Sequence, residues 1–153
     1  MAESRFVYVT YIRTTAEKLW RALIEPEFTR QYWFATTQES EWKPGASWQI
    51  SFSDGRVADT GEVMEIAPHR RLVLKWRHEL DKELRDEGYS RLTYELAQNG
   101  ETVKLTVTHE MDKSGSKFIK AISTGWPPIL SSLKSLLETG QSLEATRCSP
   151  EGL

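Results

Sequence analysis

The chain has 153 residues, with 20 basic against 22 acidic side chains and a formal charge of -2. That length suits one domain around one hydrophobic core, and the near-balance of charge excludes a strong basic field, so no nucleic acid is expected as a partner. No stretch approaches the roughly 18 apolar residues of a membrane span, and MAESRFVYVT lacks the apolar run of a signal peptide, which leaves a cytoplasmic protein as the expectation.

Arg5 to Ile12 alternate and are rich in Val and Tyr, which predicts a first strand. Thr14 to Glu17 has the Thr-x-x-Glu spacing of a capping box, and Leu19, Trp20, Leu23 and Ile24 then form the inward stripe of a helix. Pro26 closes that helix and opens a shorter one, Glu27 to Tyr32, with Trp33 and Phe34 at its end. From Thr36 the pattern changes to strands. Trp48, Ile50 and Phe52 alternate with polar residues before an Asp54-Gly55 turn, and a strand from Arg56 to Ile66 follows. After a corner at Ala67 to Arg70, Leu72, Leu74, Trp76 and His78 share one face of the next strand. Glu79 to Glu87 is almost wholly charged, which predicts a solvated loop or one exposed helical turn, with a lid beside a pocket as the functional alternative. Leu92, Tyr94 and Leu96 lead to an Asn99-Gly100 turn, and Val103, Leu105, Val107 and His109 return on the last of six or seven antiparallel strands.

Residues 113 to 124 predict a short helix burying Phe118, Ile119 and Ile122. A separate amphipathic helix is expected in Gly125 to Gly140, GWPPILSSLKSLLETG, with Pro127 in its first turn and Gly140 as its stop. Trp126, Ile129, Leu130, Leu133, Leu136 and Leu137 fall on its apolar face, while Ser131, Ser132, Lys134, Ser135 and Glu138 fall elsewhere. A helix this apolar on one side must lie across a sheet. Residues 1–140 are thus read as one domain and residues 141–153, which have no periodicity, as a flexible C-terminal tail. The sole cysteine, Cys148, lies in that tail and excludes an internal disulfide or a thiolate metal cluster.

This order of strand, two helices, antiparallel meander and long terminal helix resembles the START-like, or Bet v 1-like, helix-grip α+β fold of the SRPBCC superfamily. Within it, Gly61-Glu62-Val63, Pro68 to Leu72, Trp76, Leu105 to Glu110 and GWPPILSSLKSLLETG are similar to the branch named after the activator of the heat-shock-protein-90 ATPase. The match runs from about Phe6 to Gly140. The resemblance implies a curved sheet wrapped around the C-terminal helix and a cavity between them, which in the superfamily holds lipids, sterols, polyketides or plant hormones. Most such relatives bind; aromatase and cyclase types also turn a ligand over. The activators for which the branch is named stimulate the chaperone through an additional N-terminal domain, for which 153 residues offer no room.

Inward aromatic and aliphatic side chains can line a cavity or fill a core. The expected lining comprises Trp33, Phe34, Trp48, Ile50, Trp76, His78, Tyr94, His109, Phe118, Ile122, Trp126, Ile129, Leu130 and Leu133. His109 and His78 are the weak catalytic candidates, since each sits on an inward strand face and can titrate near neutral pH. Tyr94 or Tyr89 is expected to add a directional hydrogen bond. No His-x-x-x-His, Cys-x-x-Cys, nucleophile elbow or phosphate-binding glycine loop occurs, so neither a metal nor a cofactor is expected. The leading expectation is binding of a small hydrophobic or amphipathic molecule. The alternatives are a cyclase, aromatase or dehydratase that uses a cavity histidine, and a stress-related chaperone partner; a homodimer contact is a further expectation.

Overall fold

The computed structural model describes residues 3–148. Alternating side chains and tight turns build seven strands: β1 (Ser4–Arg13), β2 (Thr37–Ser40), β3 (Ser47–Ser51), β4 (Val57–Ala67), β5 (Arg71–His78), β6 (Ser90–Asn99) and β7 (Thr102–Met111). They form one antiparallel sheet in the order β1-β7-β6-β5-β4-β3-β2. Helices α1 (Ala16–Ile24) and α2 (Pro26–Tyr32) separate β1 from the meander, α3 (Lys82–Arg85) interrupts it after β5, and α4 (Lys117–Thr139) lies across the sheet. This is the expected helix-grip arrangement.

Local chemistry sets the boundaries, with several departures from expectation. The cap of α1 is Thr15 rather than Thr14, and its side chain accepts from the Lys18 N–H; that shift puts Lys18 in place of Glu17 at the capping-box position, and the Ala16 N–H is taken by the Gln98 side chain of β6. The turn after β3 holds three residues, since the Phe52 N–H donates to the Arg56 carbonyl around Ser53, Asp54 and Gly55. The β6–β7 turn likewise moves one residue on, to Gly100 and Glu101, because Asn99 pairs with Thr102.

Gly61 fixes the β4–β5 seam. It pairs with both Trp48 and Trp76, and a Cβ built on it would stand 1.7 Å from the Lys75 carbonyl oxygen, so only glycine lets the strands approach.

The largest departure is α4. It is one helix of 23 residues that runs straight through Gly125, Pro127 and Pro128, where two helices were expected. The two prolines leave the carbonyls of Ser123 and Thr124 without their usual helical donors. Continuity is carried instead by packing: Phe118, Ile119, Trp126, Ile129, Leu130, Leu133 and Leu136 are all buried, and each large apolar side chain fully removed from water contributes about 1.5–3 kcal/mol.

Residues 141–148 are not frayed. The Leu143 N–H donates to the buried Ser132 hydroxyl at 2.8 Å, which also moves Ser132 off the expected polar face, and the Thr146 carbonyl accepts from the Phe34 N–H at 2.7 Å. The remainder of the expected tail, residues 149–153, lies outside the described residues. On the other side of α4, Lys134 donates to the Tyr11 carbonyl and Glu138 accepts from the Arg13 N–H at 2.8 Å, which covers one end of the β1 edge.

Candidate functional site

A cavity of about 310 Å³ opens between the sheet and α4. The residues after α2 contribute Trp33, Phe34 and Thr36 to its wall. Phe34 and Ala35 turn the chain there at positive φ (50° and 57°). The strands β3 to β5 supply Ile50, Ala58, Asp59, Trp76 and His78, with Phe52 just past β3. Helix α4 supplies Phe118, Ala121, Ile122, Gly125, Trp126 and Ile129, and Leu84 of α3 completes the rim. Apart from Asp59, His78 and Thr36, every side chain named is apolar or carries only an indole N–H.

The structure therefore brings Trp33, Phe34, Ile50, Trp76, His78, Phe118, Ile122, Trp126 and Ile129 to the cavity. It places Trp48, Tyr94, His109, Leu130 and Leu133 elsewhere, buried outside the cavity lining, with Trp76 packed against Trp48 and His109, and Trp126 against Tyr94 and His109. The ring centroids of Trp48 and Trp76 lie 4.5 Å apart, those of Trp33 and Trp126 5.2 Å, and those of Trp76 and His109 5.2 Å. Buried indoles need acceptors. Trp48 donates to Gln38 at 2.9 Å, Trp76 to Asp59 at 3.0 Å and Trp126 to His109 at 3.1 Å.

His109 is wholly enclosed. An indole N–H can only donate, so Nδ1 of His109 accepts from Trp126 and the imidazole proton sits on Nε2. Nε2 donates to the Ser90 hydroxyl at 2.7 Å, and that hydroxyl donates to the Trp76 carbonyl at 3.1 Å. The chain of bonds is closed and neutral. Loss of water around the ring lowers the His109 pKa to about 3. A ligand in the cavity meets neither ring nitrogen.

Tyr94 is also buried, its hydroxyl without a protein partner among the described residues. Tyr89 lies on the outer face, between Lys75 and Arg77 at 4.8 Å from each.

His78 differs in each respect. Its Nδ1 lies 3.2 Å from Oδ1 of Asp59, its cross-strand partner, and the two side chains are 22% and 14% exposed. The hydrogen bond to Asp59 raises the His78 pKa above 6.5 against the downward pull of burial, aided by the charges of Asp59, Asp81 and Glu79. Sequence periodicity missed Asp59, since a lone aspartate in a strand carries no signal until register sets it opposite a histidine.

The charged segment between β5 and β6 forms the rim. Asp81 caps α3, Arg77 pairs with Glu79 at 2.7 Å, and Leu84 faces the cavity. Glu87 then reaches the start of α4, accepting from the Ser116 hydroxyl at 2.7 Å and from the N–H groups of Lys117 and Phe118 at 2.8 and 3.2 Å. Burial pushes the Glu87 pKa up, but these donors outweigh it and the net shift is downward. A second ion pair, Lys117 with Glu83, adds to this latch.

A larger depression, about 700 Å³, lies on the convex face of the sheet. Its cations are engaged by neighbours: Arg5 pairs with Glu110, Arg71 with Glu65 and Glu95, Arg91 with Glu65, and Lys75 sits over the Tyr89 ring, so it reads as a solvated charged face. Among the described residues no cluster of three or more His, Cys, Asp or Glu side chains could hold a metal ion, and no helix is long and apolar enough to cross a membrane.

The curved sheet gripping a long terminal helix defines the class. Residues 13–138 match the family described as Activator of Hsp90 ATPase homolog 1-like protein, and the chain belongs to that family. None of the curated proteins matches the sequence. Solved structures agree on the fold. Protein MLL2253 from Mesorhizobium loti superposes with a TM-score of 0.72 at 23% identity, covering 87% of this chain and 96% of that one. The Aha1 dimer from Colwellia psychrerythraea gives 0.71 at 18% identity, covering 90% and 98%. DynU16, a protein in the dynemicin biosynthetic locus, gives 0.72 at 20% identity, covering 91% of this chain and 49% of its own.

Proposed function

We propose that this protein binds a small hydrophobic or amphipathic molecule in the cavity beneath α4. The observation that carries the reading is the cavity itself: about 310 Å³, walled by aromatic and aliphatic side chains, with Asp59, His78 and Thr36 as the polar side chains of its lining besides the indoles. Burial of the ligand's apolar surface supplies most of the affinity. The occurrence of the same fold in a protein of the dynemicin locus supports a ligand of polyketide or aromatic type.

Gly125 makes the test clean. It lines the cavity, and a Cβ built on it meets nothing within 4 Å. Gly125→Leu should therefore fill the cavity and leave the fold intact. Native mass spectrometry of the protein from its own cells should show a mass excess that denaturation removes and that Gly125→Leu lacks. A bare polypeptide mass for the native chain across growth conditions, or an adduct retained by Gly125→Leu, counts against the reading.

The enzyme alternative narrows to His78, the histidine in the cavity wall, with Asp59 as its orienting partner. It requires turnover of the recovered ligand that disappears in His78→Gln. A homodimer, carried over from the described state of the Colwellia relative, is checked by sedimentation.

A further inference from the structure

Asp59 meets one structural need, the buried Trp76 indole N–H, which a neutral acceptor would meet as well; an ionisable carboxylate beside His78 is more than that need requires. The two residues face each other across β4 and β5 in a wall otherwise built of aromatic and aliphatic side chains and Thr36, whose hydroxyl donates to the Trp33 carbonyl. Burying a carboxylate and an imidazole there costs desolvation that an apolar pair would avoid. Their mutual bond uses only part of what they offer. Oδ1 of Asp59 takes both protein donors, Trp76 Nε1 and His78 Nδ1, while Oδ2 of Asp59 and Nε2 of His78 have no hydrogen-bond partner among the described residues. The corner thus keeps an acceptor and an imidazole nitrogen in reserve beside an aromatic slot.

The chemistry of that pair selects among ligands. A carboxylate would meet the Asp59 carboxylate and be repelled. An ammonium would meet an imidazole that Asp59 holds ready to protonate. A neutral hydroxyl suits both groups, because it donates to Asp59 and accepts from protonated His78. The near-parallel indoles of Trp33 and Trp76, 21° apart, with Trp126 set edge-to-face against both, favour an aromatic ring system on the other side of that hydroxyl, and a planar one matches the stacked pair. The volume, at the small end of ligand pockets, restricts it to a few rings.

We propose that the ligand is a neutral, planar aromatic alcohol whose hydroxyl is anchored on the Asp59–His78 pair while its rings pack against Trp33, Trp76 and Trp126. This rests on the cavity being a binding site and specifies what it selects. Asp59 and His78 act here as specificity-determining residues.

The test is equilibrium dialysis of the full chain with three probes of one shape: 2-naphthol, naphthalene and 2-naphthoate. The native protein should bind 2-naphthol about tenfold or more tighter than either of the others, as expected for a hydrogen bond to a charged group. Asp59→Asn, whose amide oxygen can still accept from Trp76, and His78→Phe should each bring 2-naphthol down to the level of naphthalene and leave naphthalene unchanged. Amide NMR spectra confirm that both variants are folded. Equal binding of all three probes by the native protein, tightest binding of 2-naphthoate, or 2-naphthol binding that survives in Gly125→Leu overturns the anchor and leaves the wider cavity reading to its own test. Binding of none of the three overturns both.

Discussion

At the His109 corner every polar atom is spent inside the protein, whereas at the His78 corner, two strands away in the same sheet, polar atoms remain uncommitted beside an opening. The first corner joins Trp126 of α4 through His109 and Ser90 to the backbone of β5, so it fixes the helix on the sheet. The second joins β4 to β5 and leaves one oxygen and one nitrogen over. A histidine enclosed by aromatic rings and bonded at both nitrogens is scaffold; one bonded at a single nitrogen, beside a void, retains chemistry. The two also differ in proton affinity, one lowered by enclosure and the other raised by a carboxylate.

Trp76 takes part in both corners, and the β4–β5 seam that holds it can be broken outright. Gly61→Ala places a methyl group against the Lys75 carbonyl and should destabilise the protein by about 3 kcal/mol in urea unfolding, because the β4–β5 spacing must change. His109→Phe separates the corners. It leaves the Trp126 N–H and the Ser90 hydroxyl without their partner and should cost about 2 kcal/mol at pH 7. It should also flatten the acid side of the stability profile. Between pH 6.5 and about 3 the unfolded chain takes up a proton at His109 that the folded chain refuses, so stability falls with pH by up to about 1.4 kcal/mol per unit. The native-minus-variant difference should therefore shrink as pH drops through that window.

Glu87→Gln tests the latch beside the open corner. By analogy with loss of a helix cap it should cost about 1 kcal/mol, with Leu84 gaining exposure. Because the Glu87 pKa is lowered on folding, its contribution is present above the ordinary carboxylate value and should vanish as pH falls through the folded one. Gly125→Ala works in the other direction, and should stabilise α4 by about 0.5–1 kcal/mol in the same unfolding assay, since the helix already tolerates a Cβ there. The smallest effect belongs to His78→Gln. With the folded pKa raised, the His78 contribution is fully present below pH 6.5 and is lost as pH rises through the folded value, the opposite sign to His109.

Most strands and the inward faces of the helices were legible in the sequence, because burial on one side imposes periods of two and 3.6. What was hidden depended on partners distant in the chain. Gly125, Pro127 and Pro128 read locally as a break, yet the apolar side chains on both sides of them pack on one sheet and hold a single helix. Residues 141–148 lack periodicity because hydrogen bonds to Ser132 and Phe34, rather than an apolar stripe, hold them. His78 and His109 carry the same signal, an inward position near a strand end. Only register distinguishes them, by setting Asp59 opposite one and Leu92, with Ser90 close by, beside the other. Asp59 itself emerges once Gly61 is seen to pair with Trp76, two residues along the same ladder.

The division between a closed and an open corner is tested most directly by long-range ¹H–¹⁵N NMR of the two imidazoles, recorded from pH 5 to 8 with and without 2-naphthol. His109 should remain the neutral Nε2–H tautomer throughout and ignore the ligand, while His78 should titrate above pH 6.5 and shift on binding. A His109 resonance that titrates in that range or moves with 2-naphthol, beside a His78 resonance that does not, would contradict the account.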